Sequence, residues 1–356
     1  MAFNLAKCDY CGDCLALCKY TAYNNETGGE QIRQLVNGEA AAILTECVTC
    51  VACNAYCEKG ANPFDLILQL QERFGVYKTT DSYYQLVDTL DKSPGEVIPG
   101  EPGKPAINIC MVDVIPHLFE GQLFEGATYL RGGEFESVLG RIHVGEETYI
   151  RDTLKARIDA LTATGYNEII MFHDDCYSAY TTKALEYGIP VPFKVKHYIE
   201  YLRDYLKAHT EQIHPLNLKI AYQQPCSSRY TPWMDPILDE LFTLIGVERV
   251  ARAYDRMDAL CCSCPVSPHL GHAVGEANKA RNIQDALDHD ATAMVFMCPF
   301  CTLQMREEAH AAGLEPIFLT NLVRMALSET LPSQAAGLDD DREFIQGAVQ
   351  IVKGLL

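Results

Sequence analysis

The stretch LCCSCP at residues 260–265 places three cysteines within four positions. Adjacent cysteines are awkward disulfide partners, because the geometry of a disulfide is narrow. The adjacent pair belongs to a longer pattern, C-x34-C-C-x35-C-x2-C, whose members each stand just past a run of strand-forming residues. Sites in open α/β sheets lie at the carboxyl ends of strands, so we expect these thiols to converge. The five thiols are those of Cys226, Cys261, Cys262, Cys298 and Cys301.

Strand-like and helical patterns alternate from residue 106 onward. The candidate strands are AINICMV near 106, EIIMF near 168, LKIAY near 218, TAMVFM near 292 and PIFL near 316. This alternation predicts an α/β fold with mostly parallel strands. Just before it, residues 91–105 hold four prolines and three glycines, a composition that predicts a semi-extended linker.

Eight further cysteines lie near the N-terminus in two copies of one spacing, C-x2-C-x2-C-x3-C. The copies are CDYCGDCLALC at 8–18 and CVTCVACNAYC at 47–57. Three closely spaced thiolates wrap one face of a 4Fe–4S cubane, and the fourth points to the other cubane. The predicted ligand sets are Cys8, Cys11, Cys14 and Cys57 for one cubane, and Cys47, Cys50, Cys53 and Cys18 for the other. Zinc is the alternative, but it rarely uses a third cysteine at this repeat.

The segments around these motifs have apolar residues at three-and-four spacing. EQIRQLVNGEAAAIL lies between the motifs and NPFDLILQLQERFG follows them, and both predict helices. Asn62 before Pro63 predicts a helix start, with the proline in the first turn. The N-terminal region is therefore predicted to be an α-helical ferredoxin.

Composition and charge narrow the functional class. The chain has 16 cysteines in 356 residues and a formal net charge of −19, which argues against binding to nucleic acid phosphates. It has neither an apolar run of about 18 residues nor a signal-peptide pattern at its start, so we expect a cytoplasmic protein or one peripheral to a membrane complex. Thiols stay reduced there, which favours metal sites over disulfides.

These patterns resemble a known family. The C-terminal pattern is similar to the cysteine-rich CCG domain of heterodisulfide reductase, and of related glycolate oxidase and succinate:quinone reductase iron–sulfur subunits. The stretch CVTCVACNAYCEKGANPFDLILQL resembles the ferredoxin-like subunit of heterodisulfide reductase. Together they resemble a fused form of the two subunits. The resemblance implies that the five C-terminal cysteines hold a noncubane 4Fe–4S cluster, with Cys261 and Cys262 at the site of disulfide cleavage.

The family often carries two CCG repeats in tandem, and the chain aligns with itself accordingly. Arg131 and Gly132 then replace the cysteine pair, while Cys110, His173 and Cys176 occupy other ligand positions. We expect the first repeat to keep the fold and to lack a noncubane cluster. Two interpretations of its remaining residues stay open: a remnant metal site, or two buried, inert thiols.

The second repeat departs from the family pattern at two positions. Ser263 stands where glycine normally follows the double cysteine, and glycine there allows a positive φ or a close backbone approach. Cys264 is an additional cysteine, for which a spare ligand, a reactive thiol and a packed side chain are all open interpretations.

The predicted organisation joins these pieces. It comprises an α-helical ferredoxin domain at 1–80, a linker at 91–105, a degenerate first CCG repeat at 106–214, a second CCG repeat with the intact cysteine set at 215–330 and a C-terminal helix at 331–356.

Three functions compete at this point. The first is a heterodisulfide-reductase-like subunit that passes electrons from two cubanes to a noncubane cluster and reduces a disulfide or thiol substrate. The second is an electron relay between a flavoprotein and a dehydrogenase, reductase or quinone-linked partner, and the third is a structural zinc protein. We favour the first, because all five noncubane ligands are present. No Gly-rich dinucleotide fingerprint follows a strand, so we expect a flavoprotein or another iron–sulfur or membrane redox subunit as partner.

Overall fold

The computed structural model describes residues 2–110, 116–329 and 331. The C-terminal helix predicted at 331–356 lies outside the described residues, except for residue 331 itself. Across the described part of the chain, no helix combines the length and the apolar character needed to cross a membrane.

Residues 2–95 contain helices joined by loops and no strand. The helices are α1 (Asp13–Ala16), α2 (Asn25–Val36), α3 (Ile43–Glu46), α4 (Ala52–Tyr56), α5 (Pro63–Phe74) and α6 (Asp81–Asp91). Ile32, Leu35, Ile43 and Ile67 form much of a small apolar core shared by α2, α3 and α5. The helix predicted after the second motif is present as α5, whereas the segment predicted between the motifs is helical only in part, as the end of α2 and the start of α3 with a break at 37–42.

Helix α5 begins as predicted, with Pro63 in its first turn, but its cap differs. Asn62 lies in the left-handed conformation, with φ of 57°, and its side chain makes no capping hydrogen bond. Asn54 supplies the missing acceptor, because its Oδ1 accepts the N–H of Phe64 at 2.8 Å. A residue of the second cysteine motif therefore fixes the start of the next helix.

A first, five-stranded sheet follows. Its strands are β1 (Glu96–Ile98), β2 (Ala106–Cys110), β3 (Thr128–Arg131), β4 (Glu168–Met171) and β5 (Lys194–His197). The spatial order is β1-β3-β2-β4-β5; β1 runs antiparallel to β3, and the other pairs are parallel. Strand β1 lies within the segment predicted as a semi-extended linker. The associated helices are α7 (Glu147–Ala163), α8 (Asp174–Ser178), α9 (Ala184–Glu186) and α10 (Tyr198–Ala208), with a π-helical turn at Ala179–Lys183.

A second sheet of four parallel strands completes the described chain. Its strands are β6 (Leu218–Gln223), β7 (Val247–Arg249), β8 (Ala293–Phe296) and β9 (Glu315–Phe318), in the order β7-β6-β8-β9. The helices are α11 (Asp235–Leu244), α12 (Val266–Leu270), α13 (His272–Asp288), α14 (Pro299–Ala311) and α15 (Leu319–Ala326). The same order links β3-β2-β4-β5 in the first sheet, so the two sheets share one strand topology.

The predicted mixed α/β class with mostly parallel strands is confirmed. All five candidate strands are present, as β2, β4, β6, β8 and β9. Four strands were not predicted, namely β1, β3, β5 and β7. One continuous apolar core joins both sheets and reaches Phe64 and Leu68 of α5.

Candidate functional site

The first N-terminal quartet lies at the surface. Cys11 is exposed, Cys8 and Cys57 are half-buried, and Cys14 is buried. The four thiols line one cavity of about 210 Å³. Burial raises the pKa of Cys14 to about 12, and the nearby charges of Cys57, Cys11 and Cys8 add to the rise. The structure thus brings together the four cysteines predicted for one cubane, with the fourth supplied by the other motif.

The second quartet lies deeper. Burial raises the pKa of Cys53 well above its usual value, and the charges of neighbouring thiols raise it further. Those neighbours are Cys47, Cys14, Cys50 and Cys18, so the second predicted quartet lies together and is close to Cys14 of the first. The backbone N–H of Thr49 also points at Cys47 Sγ, 3.4 Å away.

Both motif loops have the same unusual backbone. Tyr10 and Gly12 have positive φ in the first loop, and Thr49 and Val51 have positive φ at the equivalent positions of the second. Successive peptide N–H groups in such a conformation form a concave nest that suits anions and iron–sulfur sites. A side chain at Gly12 would collide with the carbonyl oxygen of Asn25. The loops therefore fit a thiolate-bound cluster in backbone as well as in donor atoms.

The five C-terminal cysteines also converge. Hydrogen-bonding contacts connect their side chains in the order Cys226, Cys261, Cys262, Cys301 and Cys298. Cys226 follows β6, the adjacent pair follows the loop after β7, Cys298 immediately precedes α14 after β8, and Cys301 lies in the first turn of α14. The pKa of Cys262 lies below its usual value, because hydrogen bonds from Cys261 and Cys301 stabilise its thiolate against burial. Three loops thus present five sulfurs at the carboxyl edge of the second sheet.

Ser263 adopts the conformation that glycine would provide. Its φ is 77°, and the residue is fully buried. The hydroxyl donates to the carbonyl oxygen of Gly275 at 3.0 Å and accepts from Asn278 at 2.8 Å. The loop therefore keeps its left-handed turn despite the change from glycine, and α13 holds the serine in place.

Two residues outside every recognised motif connect the second quartet to the five-cysteine group. The hydroxyl of Tyr20 accepts the N–H of Cys261 at 2.7 Å. The buried guanidinium of Arg229 donates to the carbonyl oxygen of Cys50 at 2.8 Å, and also to Ala259. The Tyr20–Cys261 and Arg229–Cys50 contacts span 241 and 179 residues, so no local pattern could reveal them.

Cys264 lies near the five sulfurs, because the charges of Cys298 and Cys226 act on it, but it is outside their chain of hydrogen-bonding contacts. The Tyr83 hydroxyl of α6 lies 3.8 Å from Cys264 Sγ, within hydrogen-bonding distance, and burial raises the pKa of Cys264 to about 12. Both ring nitrogens of His269 meet backbone carbonyl oxygens, of Lys78 at 2.6 Å and Thr45 at 3.0 Å. Both nitrogens of His269 therefore face the backbone of the N-terminal region rather than the five sulfurs.

The three residues of the first sheet that align with C-terminal cysteines lie together as well. Cys110, His173 and Cys176 are buried, and their donor atoms all lie within 4.8 Å of one another. Arg131, which replaces one cysteine of the pair, forms a surface ion pair with Glu96. The structure thus supports the convergence of the three remnant positions, which the sequence left open.

These observations define a mixed α/β protein with a cysteine-rich helical region and two parallel-rich sheets, whose thiols are gathered in ligand-like groups. Residues 220–306 match the family model described as a cysteine-rich domain, CCG. The chain therefore carries a CCG domain, and it is distantly homologous to a subunit of heterodisulfide reductase.

The homology rests on two curated proteins. A subunit of the dihydromethanophenazine:CoB–CoM heterodisulfide reductase of Methanosarcina acetivorans is 25% identical over 198 residues, which cover 53% of this chain and 47% of the relative. The corresponding subunit from Methanosarcina barkeri, which carries the same name, is 25% identical over 170 residues, covering 46% and 40%. The chain spans less than half the length of these relatives.

A solved structure supports the fold alone. The crystal structure of a hypothetical protein from Helicobacter pylori matches with a TM-score of 0.53 at 15% identity. The match covers 81% of this chain and 62% of the other.

Proposed function

We propose that this chain is an iron–sulfur oxidoreductase subunit that delivers electrons to a disulfide or thiol substrate. Eight N-terminal cysteines hold two 4Fe–4S cubanes in this proposal, and five C-terminal cysteines hold a noncubane 4Fe–4S cluster. The observation that carries it is the convergence of all five C-terminal thiols beside the second N-terminal quartet. When bound, the clusters supply one-electron transfer.

The donor chemistry supports this assignment. Burial opposes thiolate formation at Cys14, Cys50 and Cys53, whose pKa values are all raised. Thiolates at such positions need cations that offset their desolvation, and metal coordination deprotonates a thiol outright. The third group also has five thiols, one more than the four ligands that a structural zinc site takes.

The spatial order of the three groups supports a direction of transfer. The first quartet is the most exposed, its Cys14 lies close to Cys53 of the second, and Cys50 of the second lies close to Cys226 of the third group. An electron donor would therefore meet the first quartet at the surface. The hydrogen bonds of Tyr20 and Arg229 hold the second quartet next to the five-cysteine group.

The third group has a half-buried side and a buried side. Cys226 and Cys298 are half-buried, as is the neighbouring Cys264, whereas Cys261, Cys262 and Cys301 are buried. A substrate sulfur would approach from the half-buried side. We assign the catalytic role to the adjacent pair, because Cys261 and Cys262 lie in the middle of the chain of five sulfurs and the resemblance to heterodisulfide reductase places disulfide cleavage there.

The partner is part of the same proposal. The relatives are named as subunits, and we propose that this chain docks to a flavoprotein or to another iron–sulfur or membrane redox subunit. The density of thiols suits a reducing compartment, so we place the chain in the cytoplasm or at the periphery of a membrane complex.

Iron content and a paired substitution test the proposal. The anaerobically purified chain should contain about twelve irons, from three clusters of about four each. Cys262→Ala should retain about eight irons and the signals of both cubanes, and should lose reduction of 2-hydroxyethyl disulfide by reduced viologen. Cys264→Ala, which changes a neighbouring cysteine outside the five, should keep activity within a few fold.

The remaining outcomes distinguish the alternatives. Full iron content without disulfide reduction would favour the electron relay. About eight irons in the unmodified chain, with cubane signals alone, would remove the noncubane cluster. Zinc in place of iron in the N-terminal quartets would refute both functions.

A further inference from the structure

We propose that the first sheet carries a separate mononuclear zinc site formed by Cys110, His173 and Cys176. The proposal rests on the geometry of these three side chains and is independent of the clusters and of the redox function. It assigns to the degenerate repeat a metal of a different kind from the iron–sulfur clusters proposed elsewhere in the chain.

The fold brings the three donors together from neighbouring strands. Cys110 ends β2, and His173 precedes α8 immediately after the adjacent parallel strand β4. Cys176 lies three positions further on, one turn into α8, and therefore faces the same side as His173. All three residues are buried: Cys110 and Cys176 are 0% exposed and His173 is 6% exposed.

The donor atoms already have nearly the spacing that zinc requires. Cys110 Sγ lies 3.1 Å from His173 Nδ1, and all three donors lie within 4.8 Å of one another. Tetrahedral zinc, with bonds of about 2.3 Å to sulfur and about 2.0–2.1 Å to nitrogen, separates its donors by roughly 3.5–3.8 Å. Modest side-chain shifts would therefore suffice.

The backbone at Cys110 is held in a conformation that cysteine rarely adopts. Its φ is 40°, and the register of β2 against β3 shifts between Asn108 and Cys110. Asn108 Oδ1 accepts the N–H of Cys110 at 3.1 Å, and the carbonyl of Cys110 accepts from Gly132 at 2.7 Å. A non-glycine residue at positive φ persists only where its surroundings enforce it. Here the surrounding hydrogen bonds hold the thiol of Cys110 toward the imidazole of His173.

His173 differs from a purely structural histidine in the same sheet. Both nitrogens of the buried His197 are satisfied, by the N–H of Ile199 at 3.0 Å and by Asp174 at 2.9 Å. His173 makes its contact to Cys110 through Nδ1, whereas its Nε2 is buried without a hydrogen-bond partner. His173 thus directs Nδ1 at a thiol, where His197 meets a backbone N–H and a carboxylate, so Nδ1 is the nitrogen that would bind zinc.

Charge and donor type select zinc. Two thiolates neutralise a divalent cation, so the complex adds no net charge to a buried site. Sulfur and imidazole donors suit Zn²⁺. No fourth histidine, cysteine, aspartate or glutamate among the described residues joins the group, so the fourth position falls to a water molecule. Three donors are too few for the noncubane cluster that five cysteines are proposed to hold in the second repeat.

The test measures metal in the intact, iron-loaded chain. We expect about one zinc per chain after anaerobic dialysis, falling below about a tenth in Cys176→Ser and in His173→Ala, with unchanged iron. Cys264→Ser, a matched change at another cysteine, should keep the zinc. Cobalt added to zinc-depleted protein should give the absorption of a tetrahedral, thiolate-bound ion, and His173→Cys should keep the metal and strengthen its sulfur-to-cobalt band.

Three results would overturn the site. The first is unmodified protein that binds neither zinc nor cobalt beyond the level of the Cys176→Ser variant. The second is zinc that persists in both Cys176→Ser and His173→Ala, because the metal would then lie elsewhere. The third is a Cys110–Cys176 disulfide found by mass spectrometry of protein kept under anaerobic, reducing conditions, which would identify the pair as a redox couple.

Discussion

At the scale of single residues, backbone conformation decides where the sulfurs point. Thr49 and Val51 in the second motif, Ser263 beside the cysteine pair and Cys110 in the first sheet all have positive φ. A left-handed residue other than glycine costs roughly 1–2 kcal/mol, so each needs contacts that hold it. The serine has the clearest set, since its hydroxyl bonds to α13.

Substitution of Ser263 separates two contributions to stability, the hydrogen bond of its hydroxyl and the strain of its positive φ. Both Ser263→Gly and Ser263→Ala lose the hydrogen bond to Gly275, but only glycine removes the strain of φ 77°. We expect the glycine variant to be more stable than the alanine variant by about 1 kcal/mol, although glycine is ordinarily the less stable of the two. Thermal melting of the anaerobic protein gives the order. A higher melting temperature for alanine would show that the turn is not strained.

Arg229 is the residue that fastens the second cysteine motif to the second sheet. It is 6% exposed and donates to the carbonyl oxygens of Cys50 and Ala259. Arg229→Met leaves these buried acceptors without a donor, which should cost about 2–4 kcal/mol of unfolding free energy. Arg256→Met is the control, because the Arg256 side chain is 45% exposed and surface changes usually stay within about 0.5 kcal/mol. Equal denaturation curves for the two variants would contradict the fastening role.

At the scale of elements, strands with a clear local pattern of apolar residues are predictable from the sequence. Strands that depend on pairing with a neighbouring strand are not. The long apolar runs of β2 and β8 are recognisable because all their residues are buried. Strands β1 and β7 have three residues each, and β1 is wholly exposed, so they exist only through their neighbours. The grouping of the cysteines was predictable from their spacing. The contacts of Tyr20 and Arg229 were not, because they depend on how distant elements meet.

The junction between α5 and the first sheet rests on a buried ion pair. Lys183 of the π-helical turn contacts Asp65 of α5, and their side chains are 2% and 7% exposed. Lys183→Met leaves a buried carboxylate without its cation, which should cost about 3–5 kcal/mol. Asp65 retains a hydrogen bond from Asn54 at 2.7 Å, so adding Asp65→Asn should restore part of the loss. Urea denaturation of both variants measures this. A loss below about 1 kcal/mol in the single variant would place the junction elsewhere.

At the scale of the whole molecule, charge decides which redox partners can approach. The formal net charge is −19, and thiolates would make it more negative. The first quartet lies in a surface cavity lined by both acidic and basic residues, the acidic ones being Asp9, Asp13 and Glu58. Long-range attraction should therefore favour cationic partners and a basic docking face. Salt screens the charges that lie far from the first quartet, so only substitutions of charges close to it should change the attraction of a partner there.

Small redox reagents test this without a partner. Oxidation of the reduced chain by the cation tris(phenanthroline)cobalt(III) should slow by about tenfold or more between roughly 10 mM and 200 mM salt, as the Debye length falls from about 30 Å to below 10 Å. Oxidation by ferricyanide should accelerate over the same range. Asp9→Asn with Glu58→Gln should weaken the cation's salt dependence, because both charges border the first quartet. The control is Asp152→Asn with Asp159→Asn, which also removes two charges but from exposed positions of α7. This pair should change the salt dependence less. Equal effects of the two pairs would mean that electrons do not enter at the first quartet.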